Sequence, residues 1–160
     1  MRITDCTVTV ATMTVQGPNS LTTAQMVGSS TIPPGSVMSI VRSEATLSAI
    51  TINGVVASDA ILFDSSNVVL SDSAFDNGAS INLHVDAKAA YLHVTGGSSL
   101  KTFRTQFARG SGVTGGAAYL TSSAWVSVND TFTSCVSQTM GGAVYIEVRG
   151  TERTTRSSLF

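Results

Sequence analysis

Three ionisable side chains recur at one spacing: Arg42, Asp64 and Asp86 stand 22 residues apart, each after an apolar triplet. The same position returns as Thr121 and Glu147. If such segments stack in register, Asp64 and Asp86 lie about 5 Å apart, the spacing of neighbouring strands, with Arg42 beside them. Two carboxylates that close could hold Ca²⁺, or divide the acid and base work of breaking a glycosidic bond. The competing reading is a solvated turn in which opposite charges relieve repulsion, with Thr121 interrupting the acidic run.

Tyr119 and Tyr145 form a second column, 26 residues apart. Ala118 and Leu120 flank one, Val144 and Ile146 the other, so the alternation turns both rings outward. Outward rings can stack on a sugar or anchor a protein interface. They can also pack on one another along a ladder. His84 and His93 each sit in a Leu-His-Val triplet; they face outward and lack metal-ligand spacing. Asn129-Asp130-Thr131 is an N-glycosylation sequon at a turn, usable in a secreting eukaryote. No Gly-x-Ser-x-Gly elbow marks a serine nucleophile.

These columns exist only if a repeat positions them. Gly115-Gly116-Ala117-Ala118-Tyr119-Leu120 returns as Gly141-Gly142-Ala143-Val144-Tyr145-Ile146, and Phe107 and Phe132 precede the two copies by 8 and 9 residues. Self-similarity at roughly 20–50 residues marks a repeat architecture. Ile61–Phe75 lies over Ala118–Phe132 without a gap, at an offset of 57. Ser39–Asn53 fits Ile61 onward at 22, and Leu83–Val94 fits at a further 22. The long interval that remains points to an insertion at 96–110 with a short strand around Leu100–Phe107. The earlier stretch alternates threonine with Cys6, Val8 and Val10, slips at Ala11 and resumes with Met13 and Val15. A weaker strand is expected at Leu21–Val27, between turn residues at Gly17-Pro18-Asn19 and a break at Ile32-Pro33-Pro34-Gly35.

No segment holds a helical period. Repeats of 22–26 residues, each with two or three short strands and Gly/Ser/Asn corners, predict an all-β, right-handed parallel β-helix of five to six coils. The Leu-x-x-Leu-x-Leu pattern of a leucine-rich repeat is missing, and Asn-Gly hairpin signals occur only at Asn53-Gly54 and Asn77-Gly78. Residues 1–150 read as one domain, weaker in its repeats over 1–36 and clearer over 37–150, with 151–160 a tail. The paired glycines are corner residues by this reading, since neither a G-x-G-x-x-G nor a P-loop lysine accompanies them.

Composition bounds the rest. Charged residues are 12% of the 160, about half the usual share, so hydroxyls carry solubility. The net charge of −1 offers no footprint for nucleic acid. No apolar run in this chain approaches a membrane span, and its start carries no apolar signal-peptide segment, so if the protein is extracellular this chain is expected to be an internal piece of a longer polypeptide or an incomplete gene product. Cys6 and Cys135 lie about five coils, or roughly 20–25 Å, apart along such a solenoid, beyond disulfide reach. Both are expected as free thiols, with Cys135 buried.

Phe132-Thr133-Ser134-Cys135 followed by Gly-Gly-Ala-Val-Tyr-Ile resembles the repeat of chlamydial-type polymorphic outer membrane proteins, in which Phe-x-x-Asn and Gly-Gly-Ala-Ile recur along a surface β-helix. Related-looking repeats carry cysteine for the asparagine, within the wider pectin-lyase-like superfamily. The match covers residues 107–148; neither copy here has the asparagine, and the first reads Phe107-Ala108-Arg109-Gly110. The resemblance implies a secreted or cell-surface β-helix, non-enzymatic, presenting an adhesive or structural surface to a glycan or a cell-surface protein. It assigns no cofactor. The alternative it leaves open is a polysaccharide lyase or glycoside hydrolase using Arg42, Asp64 and Asp86, with Ca²⁺; the further acidic or basic groups such enzymes need have no place in the pattern.

Overall fold

Every stretch of four or five residues alternates a small or aliphatic side chain with a polar one, and a bend follows each stretch. The computed structural model describes residues 1–16, 36–57, 59–80 and 88–148, and shows what that rhythm builds. The first coil holds β1 (Arg2–Thr4), β2 (Thr7–Val10) and β3 (Met13–Gln16). The second holds β4 (Met38–Val41), β5 (Glu44–Ser48), β6 (Ile50–Asn53) and β7 (Val56–Ala57). β8 (Ile61–Asp64), β9 (Asn67–Ser71), β10 (Ala74–Asp76) and β11 (Ala79–Ser80) make the third. β12 (Leu92–Thr95), β13 (Ser99–Phe103), β14 (Gln106–Ala108) and β15 (Ser111–Thr114) make the fourth. The fifth is β16 (Ala118–Thr121), β17 (Ala124–Val128), β18 (Thr131–Thr133) and β19 (Val136–Met140), and β20 (Val144–Glu147) begins a sixth.

Corresponding strands stack into four all-parallel sheets. Sheet A runs β1-β4-β8-β12-β16-β20, sheet B β2-β5-β9-β13-β17, sheet C β3-β6-β10-β14-β18 and sheet D β7-β11-β15-β19. The chain is a parallel β-helical solenoid, with four strands to a full coil rather than the two or three expected. No helix occurs among the described residues.

One residue of each pair faces a shared interior. Ile3, Ile40, Phe63, Val94, Leu120 and Ile146 form one inward column through sheet A. Ile52, Phe75, Phe107 and Phe132 form another through sheet C, their last three rings stacked at 5.2 and 5.0 Å. Tyr91 closes against Phe75 and Phe107, accepts a hydrogen bond from the Gly78 N–H (3.0 Å) and donates one to the Ala108 carbonyl. Burial pushes its phenol well above the ordinary range.

The bends repeat as strictly as the strands. Asp5, Arg42, Ser65, Gly96 and Ser122 all take positive φ after a sheet A strand. Ala49, Asp72, Arg104 and Asn129 do so after sheet B, and Gly54, Asn77, Arg109 and Ser134 after sheet C. Such backbone is disfavoured for residues with a Cβ, so something must hold it. Hydroxyls do part of this. The Cys6 N–H donates to Ser43 Oγ, Ser43 N–H to Ser66 Oγ, Ser66 N–H to Ser98 Oγ and Ser98 N–H to Ser123 Oγ, all at 3.0–3.2 Å. Each of these hydroxyls also donates to a carbonyl in its own bend. The result is a serine ladder along the solenoid. Of the paired glycines, Gly115 has φ +84°, and a Cβ on Gly116 would lie 2.5 Å from the Val136 nitrogen.

The offset of 57 between Ile61 and Ala118, and that of 26 to Val144, are the observed registers. Two other alignments are corrected. Met38, not Ser39, pairs with Ile61. A one-residue slip would turn the fully buried Met38 and Ile40 outward, so the core decides it. Leu92, not Leu83, continues Ile61, giving intervals of 23, 31, 26 and 26 residues along sheet A from Met38 to Val144. Residues 99–108 are therefore regular strands β13 and β14, and the extra length falls between Ser80 and Leu92 instead of at 96–110. The strand expected at Leu21–Val27, the break at Ile32–Gly35 and the 151–160 tail lie outside the described residues.

Candidate functional site

Pairing rung by rung places Ser39, Leu62, His93, Tyr119 and Tyr145 in one outward column of sheet A. Parallel strands about 4.8 Å apart bring such side chains into van der Waals range. Tyr119 and Tyr145 stack with ring centroids 5.7 Å apart and planes 8° from parallel. His93 meets Tyr119 edge-on at 5.2 Å. The Tyr119 hydroxyl donates to Glu147 Oε2 at 2.6 Å, and Lys88 Nζ lies 5.6 Å over the Tyr119 ring.

Asp59, in the bend before β8, anchors the other side of this face. It is 4% exposed, and its Oδ1 accepts the backbone N–H groups of Ala89 (3.0 Å) and Lys88 (3.4 Å). Its Oδ2 lies 3.0 Å from His93 Nδ1. A carboxylate can only accept, so Nδ1 carries the hydrogen and Nε2 is the ring's remaining polar atom. Asp59 thus fixes both the imidazole and the chain that leads into β12. Both its oxygens are engaged by these contacts, and Glu147 is engaged by Tyr119. Among the described residues, the face offers a ligand the outer surface of Tyr145, the imidazole edge and the Lys88 ammonium.

The column expected to carry acid–base chemistry does not assemble as proposed. Arg42 is a bend residue one position beyond the triplet, because Val41 pairs with Asp64. Its guanidinium makes a two-pronged ion pair with Asp5 of the preceding coil, 2.7 Å at each prong. That hydrogen-bonded pair holds the Asp5 carboxyl below its ordinary value, while Asp64 adds a weaker attraction on Arg42. Asp64 accepts the Ser65 hydroxyl at 3.0 Å, and Thr95 occupies the rung beside it where Asp86 was expected. Asp86 and His84 lie outside the described residues. Among the described residues, no group of three or more His, Cys, Asp or Glu side chains could hold a metal ion.

Tyr119 and Tyr145 do share a column, but Tyr119 is only 6% exposed. Tyr145, His93 and Lys88 cover it, so ladder packing prevails at Tyr119 and Tyr145 alone presents a partly exposed ring. Both cysteines are free thiols. Cys6 is exposed; Cys135 is half-buried rather than buried, 3.4 Å from the Phe107 carbonyl, and burial raises its thiol. Asn129 is exposed at a positive-φ bend, as a turn sequon requires.

The Asp59–His93 pair escaped sequence reasoning. Its partners are 34 residues apart across the coil of irregular length, so no fixed period links them. The signal was present in the Leu-His-Val triplet, which leaves one polar side chain outward on an apolar strand. A comparison with known protein families, curated proteins and solved structures finds no match to this chain.

Proposed function

We propose that this chain is a non-enzymatic β-helical stretch of a secreted or cell-surface repeat protein, whose outward sheet A face holds a glycan or a protein surface. The observation that supports this reading most is the Tyr119–Tyr145 stack: a buried ring braces a partly exposed one, which presents a flat apolar surface at fixed orientation. Rigid aromatic surface supplies contact area at little entropic cost. His93 and Lys88 supply polar contacts at its margin. Arg42 is tied to Asp5, and Asp64 has Val41 and Thr95, not a second carboxylate, on its neighbouring rungs.

Binding of the 160-residue chain to a glycan array and to a panel of cell-surface proteins tests this. Tyr145→Ala should abolish or weaken whatever binding appears, while Asp64→Ala leaves it unchanged. Polyuronates and neutral glycans should remain uncleaved with or without Ca²⁺. One observation keeps the lyase or hydrolase alternative in play, the oriented Asp59–His93 pair. Turnover of a uronic-acid polymer that disappears with Asp64→Ala or with His93→Gln would overturn the binding reading and establish the enzymatic one.

A further inference from the structure

Surface charge on this solenoid is matched from coil to coil. Arg42, Arg104 and Arg109 pair with aspartates of the preceding coil, Asp5, Asp72 and Asp76. Glu44 and Lys101 break the pattern: both are exposed and, among the described residues, neither enters an ion pair. They face one hollow. Rung pairing sets Glu44, Asn67 and Ser99 in one outward column of sheet B and Thr46, Val69 and Lys101 in the next. The two columns line a groove of about 370 Å³. Glu44 and Asn67 continue into a second hollow of about 380 Å³ over the bend from sheet A to sheet B. β5, β9 and β13, which carry these six side chains, each have a described strand on both sides, so the groove belongs to the middle of the solenoid.

We propose that this groove binds an extended peptide segment of a partner protein, one that carries a basic and an acidic side chain. Glu44 and Lys101 lie two rungs apart and two residues apart along the strand, about 12 Å between Cα atoms. An extended peptide turns every second side chain to one face, so its residues i and i+4 stand about 13 Å apart and span the same interval. With the basic residue at Glu44 and the acidic one at Lys101, both charges are met. Between them the Asn67 amide and the Thr46 and Ser99 hydroxyls can each donate and accept, as peptide carbonyls and N–H groups require, and Val69 adds an apolar contact. A sugar chain fits the pair less well. A neutral glycan leaves both charges unmatched, and one charged by carboxylates or sulfates satisfies Lys101 while meeting Glu44 as a like charge. The groove shares no side chain with the sheet A face, so binding here is independent of the tyrosine stack.

Titration of the isotope-labelled full chain with acetyl-Lys-Thr-Ser-Thr-Glu-amide, followed by backbone amide chemical shifts, tests this. Saturable shifts should centre on Thr46, Asn67, Ser99 and Lys101 at millimolar peptide. Glu44→Gln and Lys101→Gln should each weaken binding by roughly two- to fivefold, the worth of one exposed ion pair. The peptide acetyl-Gln-Thr-Ser-Thr-Gln-amide, which loses both pairs, should bind the wild type roughly tenfold more weakly. Glu44→Lys should turn the preference toward acetyl-Glu-Thr-Ser-Thr-Glu-amide, a reversal that general loosening of the fold would not produce. Circular dichroism confirms that each variant keeps its β spectrum, as exposed outward substitutions should. Absence of shifts in sheet B, shifts confined to the sheet A face, or equal binding of the uncharged peptide overturns the proposal. So does a tetragalacturonate that shifts the same amides and depends on Lys101 but not on Glu44, which would give the groove to an acidic glycan.

Discussion

The fourth and fifth coils follow one pattern and behave as different materials. Phe107 and Phe132 occupy the same position with nearly parallel rings, but among the described residues Phe107 has a coil on each side and Phe132 has one. In sheet B the fully buried Leu70 is followed in its inward column by Thr102 and then Ser127. The interior turns polar as the last coil approaches. There Asp130 accepts the Thr105 N–H at 2.8 Å, the Ser127 hydroxyl at 2.6 Å and the Thr102 hydroxyl, a network with no counterpart at Leu47 and Leu70. A residue in a solenoid takes its burial from its neighbours along the axis rather than from its own coil.

Substitutions at matched positions would sharpen or break that contrast. Phe107→Ala should cost about 3–5 kcal/mol in urea unfolding, as large core deletions do, whereas Phe132→Ala should cost less than half of that. Equal losses would mean that the end is covered in solution. Tyr91→Phe comes next, at about 1–3 kcal/mol, because the Gly78 N–H would lose its acceptor inside the core. The same phenol gives a pH signature. Its native value is raised above the ordinary 10.0, so the stability it confers is intact below pH 10 and falls as the unfolded chain ionises above it. Tyr91→Phe should flatten the alkaline limb of a stability–pH curve.

Ser98→Ala removes a buried rung of the hydroxyl ladder and should cost about 1–2 kcal/mol in thermal melts. Ser123→Ala, at a half-buried rung in the fifth coil, should cost less. The smallest effect belongs to Asp72, whose exposed ion pair with Arg104 holds its carboxyl below the ordinary 3.8. A lowered value means stability that is present above pH 3.8 and lost as acid protonates the native carboxylate. Asp72→Asn should therefore match the wild type near neutrality within error, and differ only in its acid limb and salt dependence.

The fold was legible because aromatic and aliphatic residues repeat where the core needs them. Ile61–Phe75 over Ala118–Phe132 matched on large side chains, and large side chains determine register. The Ser39 alignment slipped because a serine and an isoleucine at the head of the triplet looked interchangeable, while the pleat allows no such shift. The misplaced insertion has a sharper cause: Leu-His-Val occurs at both 83–85 and 92–94, and only packing against Phe63 and Leu120 selects the second. The bends were hidden for another reason. Positive φ is usually signalled by glycine or asparagine, yet Arg42, Asp72, Arg104 and Arg109 adopt it here. Their side chains pair across coils with Asp5, each other and Asp76, contacts that link residues 32–37 positions apart. At the candidate site the tyrosine column could be read from alternation alone. The burial of Tyr119 could not, since Lys88 and His93 reach it from a coil of irregular length.

The chain's single indole follows from this arrangement as a built-in optical gauge. Trp125 lies edge-on to Phe107 and Phe132 at 6.3 and 5.9 Å, and its Nε1–H donates to Thr102 Oγ at 2.8 Å. Because it belongs to the last full coil among the described residues, its emission reports loosening of that coil before the phenylalanine stack behind it is exposed. A fluorescence transition that precedes the loss of far-ultraviolet ellipticity would be the mark of a rod that melts from its tip.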